Sequence, residues 1–126
     1  MNIEEIIRQA LEEDLGSGDH TSLATIPFEA TGKSKLLIKE EGILAGVEIA
    51  KQVYRQLDPS VHFEIVIDDG TPVKRGDIAF YVSGSSRSIL SGERLALNFM
   101  QRMSGIATAT SKIVKLVAGT GVRILD

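Results

Sequence analysis

The stretch with the greatest capacity for chemistry is GERLALNFMQRMSGIATAT, residues 92–110, which sets Arg94, Asn98, Gln101 and Arg102 among Leu, Phe and Met. At about 100° per residue, Arg94, Asn98, Gln101, Gly105 and Thr108 fall within about 80° of one another, while Leu95, Phe99, Met103, Ile106 and Ile113 take other faces. An ordinary amphipathic helix showing one polar face to water is one account of this pattern. Solvent faces, however, are usually rich in Lys and Glu, whereas this stripe offers Arg, Asn, Gln, Gly and Thr, types suited to hydrogen bonding or close approach. Gly105 costs about 1 kcal/mol relative to Ala in a helix interior, so a packing reason for its missing side chain, and a close approach to this face, are expected. The guanidinium of Arg94 offers several fixed N–H donors and does not lose its charge at neutral pH. Arg102 reads as a surface residue.

Other residue types narrow the chemistry. The chain has no cysteine, which removes disulfides, thiolate catalysis and zinc-thiolate sites, and its two histidines, His20 and His62, lack metal-ligand spacing. Asp19 beside His20 suggests acid/base work, but no nucleophile accompanies the pair; Asp19 is expected to tie its loop through an Asx-type bond. EIVIDDGTPVKRG imitates an apolar run and acidic pair ahead of a phosphate-binding loop. Pro72 and Val73 stand where such a loop needs small residues with free N–H groups, so DDG reads as a turn.

The elements that must position Arg94 can be read from periodicity. Ile3, Ile6, Ile7, Ala10 and Leu11 recur at helical spacing over residues 3–14, with Asn2 as N-cap and Glu5 three residues on. The glycines of GSGD end that helix and open a loop holding Asp19, His20 and Thr21. KSKLLIKEEG alternates as a half-exposed strand, with Leu37 breaking the alternation. Val47, Ala50, Val53, Tyr54 and Leu57 mark a second helix bounded by GILAG and DP. Val61, Phe63, Ile65 and Ile67 alternate as a strand up to DDG, and IAFYVSG forms another. SSRSIL leads into a long helix from about Glu93 to Ala118, and VRILD is a final short strand.

At 126 residues and 43% hydrophobic composition the chain can build one core. A net charge of −3 leaves no basic stripe for a phosphate backbone, so nucleic acid is not an expected partner. No apolar run approaches the ~20 residues of a membrane span. The N-terminus, MNIEEIIRQALEEDLG, is acidic where a signal peptide needs a basic start, so a soluble cytoplasmic protein is expected. The fold class is α+β: a twisted antiparallel sheet with helices on one face.

GERLALNFMQRMSGIATATSKIV followed by ILD closely resembles the N-terminal region of quinolinate phosphoribosyltransferases, which carry E-R-x-x-L-N, then S-G-I-A-T, then D-T-R-K-T. EDLGSGDHT at 13–21, GILAG at 42–46 and DGTPVKRGD at 69–77 support the likeness in the same order, and together they span almost the whole chain. DGTPVKRGD also resembles the hairpin of biotinyl and lipoyl carrier domains, without their Met-Lys-Met attachment motif. The family likeness implies a hammerhead-like sheet over residues 1–110, and a connecting helix end and first strand of an α/β barrel over 111–126. The chain stops at Asp126, where the family continues with T-R-K-T and the barrel. The implied reaction is transfer of phosphoribosyl from phosphoribosyl pyrophosphate (PRPP) to quinolinate, with decarboxylation to nicotinate mononucleotide. Magnesium (Mg2+) would accompany PRPP, held mainly by the barrel. Arg94 would reach the quinolinate pocket in the barrel of a second subunit of a homodimer or higher oligomer, with Glu93 and Asn98 as local support. A related phosphoribosyltransferase with another acceptor, either molybdenum-transport-associated or a nicotinate enzyme, shares these features. A non-catalytic interaction module is a third reading.

Overall fold

The computed structural model describes residues 2–17 and 25–118. The described residues form three helices and five strands: α1 (Ile3–Ser17), β1 (Thr31–Leu37), β2 (Gly42–Ile43), α2 (Val47–Leu57), β3 (His62–Ile65), β4 (Pro72–Val73), β5 (Ile78–Ser85) and α3 (Ser86–Ala118). The strands form a three-stranded antiparallel sheet in the order β1-β5-β3 and a separate antiparallel pair, β2-β4. The α+β expectation holds, with the antiparallel sheet divided in two.

Alternation assigns the faces of the larger sheet. Leu36, Phe80 and Ile65 share one row, and Phe63 pairs with Val82 in the next. These side chains pack with Val47, Ala50 and Tyr54 of α2 and with Ile89, Ala96 and Met100 of α3. The intervening row, Lys35, Tyr81 and Glu64, points away from the helices. Leu37, which breaks the sequence alternation, marks a register shift: Leu36 faces Phe80 but Leu37 faces Ile78. The extra residue, Ala79 of β5, interrupts the ladder beside Leu37, which is exposed. A second cluster joins Ile7 and Leu11 of α1 to Val53 of α2 and Leu95 of α3, so the helix carrying Arg94 is packed by both α1 and α2.

Helix ends show how local and tertiary signals divide the work. At α1 the expected cap forms, with the Glu5 N–H donating to Asn2 Oδ1 at 2.8 Å. At α2 the preceding residue is Gly46, left-handed at φ 95° and without a side chain to cap with. Asp69 substitutes from the turn before β4, accepting from Val47 N at 2.8 Å and Glu48 N at 3.3 Å. DDG is therefore a turn, with Gly70 at φ 87°, whose second carboxylate also caps a helix.

Two boundaries differ from expectation. GILAG and TPV contribute the short strands β2 and β4, too brief to show a period. The long helix begins at Ser86 rather than near Glu93. Ser85 Oγ accepts from Ser88 N at 3.4 Å, and Ser88 Oγ donates to Asp58 Oδ2 at 2.7 Å, bracing the start of α3 against the end of α2. Hydroxyl bonds from Ser60, then Ser88, and the Ser60 N–H hold the Asp58 carboxyl below its ordinary range. The first turn of α3 has no acidic residue of its own, so Asp58 supplies the anion that a helix N-terminus favours. α3 then crosses residue 110 without a break; VRILD lies outside the described residues.

Candidate functional site

Arg94 stands in the third turn of α3, where burial of Leu95, Ala96 and Met100 fixes which way the helix faces. Their burial turns Arg94, Asn98 and Gln101 outward, and all three are exposed, as are Glu93 and Arg102. The polar row is thus assembled as its spacing predicts, on a helix anchored along its opposite side.

The expected close approach occurs at Thr108 of the stripe and at Ser104 beside it, not at Gly105. A methyl added at Gly105 would meet nothing within 4 Å in this chain, so the predicted packing reason for that glycine is corrected. Strand β2 comes against Ser104 and Thr108 instead. Thr108 Oγ1 accepts from Ile43 N at 2.9 Å. Ser104 Oγ accepts from Ala45 N at 2.9 Å and donates to Ala45 O at 3.0 Å. One turn apart on α3, these hydroxyls satisfy backbone groups of a strand too short to satisfy them by pairing. Gly46 also lies against α3, since a methyl there would sit 3.2 Å from Met100 Cα. The polar stripe has two functions: its flank holds GILAG, and its centre carries Arg94 to the surface. Serine and threonine four residues apart, opposite a glycine-bounded apolar run, were the available sequence signal for this clamp.

On the opposite side of α3, the Tyr54 ring lies over Gly92. Burial, and secondarily the Glu93 carboxylate, push the Tyr54 phenol above its ordinary range, keeping it neutral. Tyr54, Phe63 and Phe80 form a row of rings, with centroids 5.9 Å apart for the first pair and 4.4 Å for the second. Neither Gly92 nor Tyr54 stood out as functional from spacing alone.

Asp19 and His20 lie outside the described residues, and His62 is exposed on β3. Among the described residues, no group of three or more His, Cys, Asp or Glu side chains could hold a metal ion. No helix among them is long and apolar enough to cross a membrane. Among the described residues the site offers a cationic side chain, Arg94, at the surface of α3.

The family model described as quinolinate phosphoribosyl transferase, N-terminal domain, matches residues 19–104. The mitochondrial quinolinate phosphoribosyltransferase [decarboxylating] 2b of Nicotiana tabacum is 42% identical over 113 residues, covering 89% of this chain and 32% of the tobacco protein. The chloroplastic nicotinate-nucleotide pyrophosphorylase [carboxylating] of Arabidopsis thaliana is 46% identical over 110 residues, covering 86% of this chain and 32% of that protein. The crystal structure of NadC from Streptococcus pyogenes superposes with a TM-score of 0.87 at 36% identity, over 92% of this chain and 41% of that one. The chain spans about a third of the length of these curated relatives. With the matched domain running from the α1–β1 connection to the Ser104 clamp, the chain belongs to the quinolinate phosphoribosyl transferase family through its N-terminal domain.

Proposed function

We propose that this chain supplies the N-terminal part of an enzyme that transfers phosphoribosyl from PRPP to quinolinate with decarboxylation, giving nicotinate mononucleotide for NAD biosynthesis. The observation that carries this reading is the outward placement of Arg94 on a helix clamped from two sides, within the matched domain. Quinolinate is a pyridine dicarboxylate, and a guanidinium meets a carboxylate with two parallel N–H···O bonds. In this reading Arg94 enters the pocket of the partner subunit's barrel in a homodimer or higher oligomer. It holds a carboxylate while oxocarbenium-like charge develops at the ribose C1, a task of positioning and electrostatics.

Magnesium enters with the pyrophosphate of PRPP. In this reading the barrel holds most of its ligands. A cytoplasmic location is part of this reading, while relatives are named as mitochondrial and chloroplastic.

The test is a chimera in which this chain replaces the matching residues of the tobacco quinolinate phosphoribosyltransferase. The chimera forms nicotinate mononucleotide from quinolinate and PRPP, whereas the 126-residue chain alone forms none. A folded chimera with no turnover, one that accepts nicotinate in place of quinolinate, or turnover by the chain alone overturns the reading.

A further inference from the structure

Gly92 is two residues before Arg94 and, at about 100° per residue, about 160° from it around α3. A methyl built on Gly92 would lie 2.6 Å from Tyr54 Cε1 and 2.8 Å from Cδ1, inside any contact two carbons can hold. Beside the ring is only a small cavity, lined by Leu36, Phe80, Val82, Ala96 and Leu97. Tyr54 is 3% exposed, Phe63 lies beside it, and Phe63 stacks on Phe80 of the central strand β5. A side chain at position 92 would therefore push this stretch of the helix more than the ring, because Arg94, Asn98 and Gln101 on its outer side are exposed and no core packs behind them. That displacement runs along the direction in which Arg94 projects.

We propose that the contact of the Tyr54 ring with Gly92 sets the reach of Arg94, so that Tyr54 and Gly92 are positioning residues for acceptor binding. The row Phe80, Phe63 and Tyr54 transmits the position of the sheet to α3, and the absent side chain at 92 lets the helix sit one methyl closer to it. This inference rests on the proposed role of Arg94 and adds the structural element that decides how far its guanidinium extends. A shift of about 1 Å in a clamping residue is on the scale that costs up to about 100-fold in turnover efficiency.

The experiment uses the chimera described above, with steady-state constants measured separately for each substrate. Gly92→Ala raises KM for quinolinate about tenfold and leaves kcat and KM for PRPP within about twofold. Adding Tyr54→Leu makes room for the new methyl and returns KM for quinolinate to within about threefold of the parent. Val61→Ala, a core truncation that alters neither Tyr54 nor Gly92, lowers the melting temperature without changing either KM. An unmoved quinolinate KM in Gly92→Ala, an equal rise in both KM values, or no rescue by the double variant overturns the proposal. If Gly92→Ala does not fold, Tyr54→Leu alone reads the same contact: a rise confined to quinolinate supports the proposal and unchanged constants overturn it. A parent chimera that folds but turns over no quinolinate overturns the functional reading and this inference together; parent turnover with insensitive variants overturns the inference alone.

Discussion

At the scale of single residues, Arg94 and Gly105 show how one spacing can hide two outcomes. Both lie near the centre of the predicted stripe and both are exposed, but only Arg94 has a side chain that can act at a distance. Arg94→Lys in the active chimera tests the chemistry of the guanidinium, since charge is kept while the two-pronged geometry is lost. Losing one charge-assisted bond to a buried carboxylate costs about 2–3 kcal/mol, or about 30- to 150-fold in kcat/KM for quinolinate. The melting temperature stays within about 1 °C, because an exposed residue contributes little to folding. Mixing Arg94→Lys subunits with subunits inactivated in the barrel then restores one intact site per heterodimer, as sharing across subunits requires. If kcat/KM stays near that of the parent chimera, Arg94 is an ordinary surface residue.

At the scale of elements, α3 is held by contacts of different kinds on its two sides. Tyr54, Leu95, Ala96 and Met100 bury apolar area on one side. Ser104 and Thr108 use hydroxyls on the other, because the approaching strand presents backbone groups rather than side chains. Thr108→Val keeps the shape and removes the acceptor for Ile43 N, and leaving that part-buried N–H without its partner destabilises the fold by about 1–2 kcal/mol. Urea unfolding of the 126-residue chain measures the change, read as a lower midpoint at constant slope. An unchanged midpoint shows that water replaces the hydroxyl without loss.

At the scale of the whole molecule, the last turns of α3 are anomalous for a helix that must be covered by its own domain. Ile106 is 63% exposed and Ile113 52% exposed, with Val114 beside the latter. Apolar residues at these positions have no partner surface among the described residues, although their pattern is that of a packed helix. The isolated chain therefore self-associates, with sedimentation velocity showing a concentration-dependent rise in mean mass across the micromolar range. Ile113→Lys suppresses it while leaving the melting temperature near the parent value. A strictly monomeric profile with no binding of an apolar dye counts against this expectation.

Much of the architecture was legible from local pattern alone. The Asn2 cap, the buried stripe of α2, the alternation of β3 and β5 and the outward placement of Arg94 each follow from interactions within a few residues or from a period of 3.6 or 2. The E-R-x-x-L-N and S-G-I-A-T blocks carried the family as well. Tertiary structure alone decided what meets each face. Asp69 caps α2 across 22 residues, Asp58 braces α3 across 30, and Thr108 and Ser104 hold β2 across 65 and 59. Periodicity records which side of an element is buried but not which distant backbone or ring comes against it. For that reason Gly105, isolated in the sequence, has open space around it, while Gly92, at the edge of the same motif, lies under the Tyr54 ring.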